Sequence, residues 1–193
     1  NDIATAVCGN ITWDSSVTGK GSMEGQVLSI YGNTDFSHVK ENGIEIELHF
    51  KGDATHTVKS LVNANTYMGD IRFNGTGIYR LVSYLETTGN IYHDSGTFDT
   101  NDNDLYINGT FVSKTLDDTI YREMDFSNST VTVKNMQLHA PSSPADFGNL
   151  VHLMSGSHII LIEVTKDQSL LFSGHTDYVW TFYDLTAKGE YSL

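Results

Sequence analysis

One cysteine, two prolines and eleven basic residues are all that three informative classes contribute to this 193-residue chain. The single Cys8 excludes an internal disulfide framework, so stability has to come from a core, a bound ion or oligomerisation. With no His or base pattern beside it, Cys8 reads as a small buried hydrophobe. Eleven Lys and Arg against 24 Asp and Glu give a formal net charge of −13. That balance repels a phosphate backbone or an anionic lipid surface, so neither nucleic acid nor a membrane is an expected partner. The longest apolar run, Ile159-Ile160-Leu161-Ile162, falls far short of the roughly 18 residues a membrane-spanning helix needs. No G-x-S-x-G, H-E-x-x-H, C-x-x-C, P-loop or G-x-G-x-x-G occurs in its required context, and the expectation is a protein that is not an enzyme.

What the sequence does hold is strand composition. Between Gly77 and Phe111, three segments (Ile78–Leu85, Ile91–Phe98 and Leu105–Phe111) are separated by turn-forming stretches and read as an antiparallel meander. The clearest alternation is Gly43 to Phe50, with Ile44, Ile46, Leu48 and Phe50 on one face and Glu45, Glu47 and His49 on the other. A three-residue loop at Gly52-Asp53-Ala54 pairs Leu48 with Val58 and keeps apolar side chains together. The two-residue loop that would set His49 opposite His56 as a metal pair turns valines towards water. Further strands are expected over Val7–Trp13, Gly25–Tyr31, Thr119–Met124, Ser129–Val133, His158–Val164, Ser169–Ser173 and Thr176–Tyr183. One short helix is expected from Ser143-Pro144, with Ser as N-cap, Pro at the first position and Phe147, Leu150, Val151 and Met154 on one face. No internal repeat and no domain boundary is read, so residues 1–193 form a single domain. About ten strands exceed one open sheet of ordinary size. The expected fold is all-β, a single-domain β-sandwich of jelly-roll type with one short helix, with a closed calycin-like β-barrel as the alternative.

Three groups of residues are candidates for chemistry. The acidic loop Asp99-Thr100-Asn101-Asp102-Asn103-Asp104 places five Asp or Asn at one hairpin tip, and calcium takes six to eight such oxygens. Asp99, Asn101, Asp102, Asn103 and Asp104 are therefore the expected ligands of a bound calcium ion. The loop lacks the EF-hand Gly at its sixth position and Glu at its twelfth, and the competing reading is a solvated turn. Tyr178, Trp180 and Phe182 recur at period two near His175 and Asp177, a row that suits stacking on sugar rings or packing in the core. Glu45 and Glu47, two apart on one face, suit a carboxylate pair or plain solubility. Four N-x-S/T sequons, at Asn10, Asn74, Asn108 and Asn128, are too generic in a chain this rich in Ser and Thr to establish glycosylation.

The opening Thr5-Ala6-Val7-Cys8-Gly9-Asn10-Ile11-Thr12-Trp13 and the later Ser95-Gly96-Thr97-Phe98 and Asn108-Gly109-Thr110-Phe111 resemble the small secreted β-domains of Bacteroidetes surface lipoproteins. The likeness covers residues 5–133 at most and carries no site. It implies an exported, cell-surface or extracellular location; a chain that begins at Asn1 without Met suggests either a processed mature protein, which agrees with export, or a cut piece. The functional expectation is a structural or adhesive extracellular module that self-associates by strand addition. The alternatives are a carbohydrate-binding module with a surface glycan as partner, and a calycin-like barrel for a small apolar ligand.

Overall fold

A computed structural model describes residues 5–12, 23–38, 44–60, 69–115, 117–162 and 170–188. Its first strands are β1 (Thr5–Cys8), β2 (Ile11–Thr12), β3 (Met23–Ile30), β4 (Thr34–Asp35), β5 (Ile44–Phe50) and β6 (Thr55–Lys59). Then come β7 (Ile71–Phe73), β8 (Ile78–Leu81), β9 (Leu85–Thr87), β10 (Ile91–His93), β11 (Gly96–Asp99) and β12 (Leu105–Ser113). The last are β13 (Arg122–Asp125), β14 (Thr130–His139), β15 (Leu150–Leu153), β16 (His158–Leu161), β17 (Leu170–Ser173) and β18 (Asp184–Ala187).

Every strand pairing among these residues is parallel, and no strand pairs with its successor in the chain. Parallel neighbours need a crossover to bring the chain back to the same end. Here the rest of each turn is that crossover, and the chain winds through about six turns of a β-solenoid. Seven strands stack in the order β15-β13-β11-β8-β6-β4-β2, and the other eleven make a larger sheet with β1, β3, β5, β7, β10, β12, β14, β16 and β18 on its main path. β12 and β14 are long enough to belong to two rungs. The N-terminal part of β12 pairs with β9 and its C-terminal part with β10, across a register shift between Ile107 and Thr110.

This architecture overturns the sandwich, jelly-roll and closed-barrel expectations together. The segments read as an antiparallel meander are corner-separated pieces of successive parallel turns: Ile78 pairs with Thr55 and Thr97, and Ile91 with Ile71 and Phe111. The Gly52-Asp53-Ala54 hairpin is a corner, since Leu48 pairs with Leu28 and Ile71 while Val58 pairs with Thr34 and Leu81. A period-two pattern reports which face is buried and is blind to strand direction, which is why the buried faces hold and the pairing does not. Ile46, Leu48 and Phe50 are buried, and Glu47 and His49 are half-exposed, as the alternation requires. His56 lies inward on the other sheet, away from His49. The helix is a six-residue 3₁₀ turn, Pro144–Asn149, whose Ser143 side chain accepts from the Ala145 N–H. It stops before Leu150, which opens β15. The parts of the expected strands at Trp13, Glu163, Val164 and Ser169, all but Ser60 of a strand the sequence also suggests over Ser60–Ala64, and the start of one over Tyr67–Phe73 lie outside the described residues.

The core is a set of ladders in which each turn stacks like on like. Leu28, Leu48, Ile71, Ile91, Phe111 and Met136 occupy consecutive rungs of one ladder. An aromatic spine runs beside it: Phe50 to Phe73 at 5.1 Å, Phe73 to Phe98 at 4.6 Å and Phe98 to Phe126 at 6.0 Å. Offset or edge-on rings at such spacings add to their burial. At the corners, asparagine and aspartate link one turn to the next. The Asn90 N–H donates to Asp70 Oδ1 at 2.7 Å, and the Thr110 N–H donates to Asn90 Oδ1 at 2.9 Å.

Candidate functional site

Outward-facing side chains on consecutive parallel rungs line up, so a solenoid face concentrates residues that are twenty or more apart in the chain. On the larger sheet, register places His49, Arg72, Tyr92 and Val112 in one row. Glu47 flanks this row on one side, and Asp94 and Lys114 follow the ends of β10 and β12 on the other. Arg72 organises the group. Its Nη1 donates to Asp94 at 2.7 Å, its Nε reaches Glu47 at 3.4 Å, and its guanidinium lies 4.3 Å from the centre of the Tyr92 ring. His49 Nε2 is 2.7 Å from the same Glu47 carboxylate.

The electrostatics follow from this packing. Partial burial pushes the Glu47 carboxyl up, but the His49 ring beside it and the Arg72 guanidinium outweigh it and hold it below its ordinary value. Burial likewise works against the Arg72 charge, and its two carboxylates more than restore it. Tyr92 is pushed up by burial and by Asp70, so its hydroxyl stays protonated and able to donate. Arg72, Tyr92, Asp94, Val112, Lys114 and Thr115 line an open cleft of about 520 Å³. A partly exposed ring, paired charges of both signs and a small apolar floor are the make-up of a site for a polar, hydroxyl-rich ligand.

Of the sequence-derived candidates, Glu47 belongs to this group, while the acidic loop and the aromatic row lie elsewhere. In the acidic loop, Asp99 is buried against the Arg80 Nε at 2.7 Å and its Oδ1 accepts the Asn101 N–H. Asp102 accepts from Asn128 Nδ2 at 3.0 Å, and Asp104 accepts the Thr130 N–H at 2.7 Å. The amides of Asn101 and Asn103 both donate to the Leu81 carbonyl. Asn101 and Asp102 hold φ of 50° and 59°, conformations in which Asn and Asp are enriched. The loop thus ties three turns together with its own polar atoms. Among the described residues, no group of three or more His, Cys, Asp or Glu is arranged to hold a metal ion.

Tyr178, Trp180 and Phe182 do share one face, and that face packs against the end of the core. Tyr178 Oη donates to the Leu150 carbonyl at 2.9 Å, leaving its oxygen to accept from His152 Nδ1 at 3.1 Å. Trp180 lies over His152 and stacks on Phe172 at 5.5 Å. Val179 and Tyr183 point outward instead, 75% and 72% exposed. His175 and Asp177 are neighbours of this strip, the Asp177 N–H donating to His175 Nδ1 at 3.2 Å. A smaller cleft of about 380 Å³ opens beside it, lined by His152, Met154, Ser155, Thr181, Phe182 and Tyr183. The side chain of Glu45 lies outside the described residues, so only Glu47 of the carboxylate pair is placed.

Arg72, Tyr92, Asp94 and Lys114 were not legible as a group from the sequence read strand by strand. The available signal was the spacing of Gly69-Asp70-Ile71-Arg72-Phe73, Gly89-Asn90-Ile91-Tyr92-His93 and Gly109-Thr110-Phe111-Val112-Ser113, which start at positions 69, 89 and 109. That period aligns the fourth residue of each on one outward row. No protein-family model, curated protein or solved structure matches this chain.

Proposed function

We propose that the chain is an extracellular or cell-surface β-solenoid module that binds a neutral glycan along the outer face of its larger sheet. The observation that carries this reading is the cleft over β7, β10 and β12, where Tyr92 offers a ring for a sugar to stack on and Arg72, Asp94 and Lys114 offer donors and acceptors for hydroxyls. Arg72 is already shared between two carboxylates, and the whole chain carries −13. Both features disfavour an acidic polysaccharide. Gel electrophoresis through neutral polysaccharides (glucan, mannan, xylan) and acidic ones (pectate, alginate) tests the reading. Retardation by a neutral polymer, weakened at least about tenfold in Tyr92→Ala and in Arg72→Ala, is the expected result. Migration unaffected by any neutral polymer sinks it.

A second reading, self-association by strand addition, rests on β18, the last rung of its sheet among the described residues. A second copy pairing there lengthens the solenoid. Light scattering that shows a monomer at high micromolar concentration removes this reading.

A further inference from the structure

We propose that Ser173, His139 and Asp118 form a hydrolytic site for small acyl esters at the end of the same outer face. The three residues come from distant parts of the chain. Ser173 ends β17, His139 ends β14, and the two are direct partners in the parallel register. Asp118 is carried by the connection between β12 and β13. Ser173 is exposed, and its Oγ lies 2.8 Å from His139 Nδ1. The other ring nitrogen, Nε2, faces Asp118 Oδ1 at 4.0 Å, and both side chains are about a fifth exposed. This is the nucleophile, base and orienter arrangement by which an ordinary hydroxyl becomes reactive, here with the serine on Nδ1 and the carboxylate on Nε2. A separation of 4.0 Å leaves the orienting contact to close by about 1 Å on substrate binding, and such contacts are commonly long in the free protein.

The surroundings suit each role. Asp118 Oδ2 accepts both the N–H and the hydroxyl of Ser142, which hold the carboxyl low and ionised. Burial, then the nearby Arg122 charge, outweigh the opposing pull of Asp118 and, with a last small contribution from Lys114, favour the neutral imidazole of His139 that a base requires. Arg122 Nη2 donates to the His139 carbonyl at 2.8 Å and fixes the end of β14. After Ser173 comes Gly174 at φ 98°, where a side chain would collide with the Ala140 carbonyl. The N–H following a nucleophile is the first oxyanion donor in sites of this kind.

The chemistry closes without a cofactor. Ser173 Oγ attacks the acyl carbon while its proton passes to His139 Nδ1, and the ester C–O bond breaks as that proton moves to the departing alcohol. Water then adds to the acyl-serine, again giving its proton to Nδ1, and the carboxylic acid leaves as Ser173 Oγ recovers the proton. Lys114 connects the two sites, since it lines the glycan cleft and its charge reaches His139. An O-acylated sugar lying along the face is therefore the class of substrate that the row presents to Ser173. That choice of substrate rests on the glycan reading; the ester chemistry does not.

A fluorophosphonate probe and 4-nitrophenyl acetate test the site directly on the intact chain. One phosphonyl adduct, mapped to Ser173 by peptide mass spectrometry, is expected, with ester hydrolysis falling about 100-fold or more in Ser173→Ala and in His139→Ala. Asp118 is a positioning residue, so Asp118→Asn is expected to lower kcat with KM unchanged and to shift the midpoint of the pH–rate profile. Absence of the adduct on the wild-type chain, or a Ser173→Ala rate equal to wild type, overturns the proposal. Labelling without retardation by glycans removes only the binding reading, and retardation without labelling removes only the ester site.

Discussion

His93 has no exposed surface and sits at the centre of a hydrogen-bonded chain whose proton positions can be deduced. The Gly96 carbonyl, 3.0 Å from Nε2, can only accept, so Nε2 carries the proton. Nδ1 then accepts the Ser113 hydroxyl proton at 3.3 Å, and Ser113 Oγ accepts from Arg122 Nη1 at 3.2 Å. Burial first, with the Arg122 charge adding to it, pushes the His93 pKa down to about 4 against the opposing pull of the Gly96 carbonyl. An unfolded chain protonates this histidine near pH 6.5, and the folded chain does so only near 4. Between those limits the unfolded state binds the extra proton, so the contribution is intact above pH 6.5 and is lost as pH falls to 4, in total about 3 kcal/mol. The His93 ring resonances in a proton NMR titration are expected to stay unmoved down to about pH 5. A midpoint near 6.5 in the folded protein contradicts this. Arg122 at the other end is 1% exposed; among the described residues no carboxylate is in direct contact with it and its Nε lacks a partner. Arg122→Ala is expected to cost about 3–5 kcal/mol in urea unfolding, from the emptied volume and two orphaned acceptors. Arg122→Met, which refills most of that volume and leaves no buried cation, is expected to cost clearly less.

Elements here are held by their neighbours in the stack rather than by their neighbours in the chain. At the corners preceding β7 and β10, Asp70 and Asn90 each accept an N–H from the next turn, Asn90 from Thr110 at the register shift inside β12. Asn90→Ala removes the acceptor for Thr110 and the Nδ2 donor to Asp70 at 3.2 Å, and is expected to cost about 1–2 kcal/mol in urea unfolding; Asn90→Asp keeps the acceptor but sets a second carboxylate against Asp70 Oδ1, so it is expected to be no milder. A Cβ on Gly109 would press on the Gly89 carbonyl of the turn below, so Gly109→Ala forces those two corners apart. The alternating faces were legible from residues such as Ile46, Leu48 and Phe50, because burial leaves a mark on each strand alone. Parallel stacking leaves its mark only between strands, as a repeat, and the repeat is irregular. Paired positions run from Leu48 to Ile71, Ile91, Phe111, Met136 and Leu170, steps of 23, 20, 20, 25 and 34 residues. Insertions at the corners, such as residues 114–121, hide the period. The motif Asp-Phe-Ser at 35–37 and 125–127 was another trace of it. In both, as in Asp99-Thr100-Asn101, the Asp Oδ1 accepts the N–H two residues on and the middle side chain is buried. The first three residues of the acidic loop are thus one copy of a recurring corner.

A solenoid is close to one-dimensional, each turn touching only the turns above and below, so its stability is a sum along the stack rather than a property of one centre. The consequence is that damage stays local unless it strikes the middle. Phe98, which meets Phe73, Phe111 and Phe126, is such a central position, and Phe98→Ala is expected to lower the global unfolding free energy by about 3–5 kcal/mol. The aromatic strip 178–182 is the opposite case. It lies against β15 and β17 through Tyr178, Trp180 and Phe182, where one more regular rung would otherwise stack, and it covers apolar side chains that would face water. Trp180→Ala strips its contacts with His152, Phe172 and Tyr178. In native-state hydrogen exchange, the amides of β15 to β18 are expected to lose about 2 kcal/mol of protection while those of β7, β10 and β12 keep theirs. Equal loss along the whole stack would mean that the turns unfold as one unit. The row would then couple the cleft near Tyr92 to the Ser173 end, and substitutions at either would be felt at both.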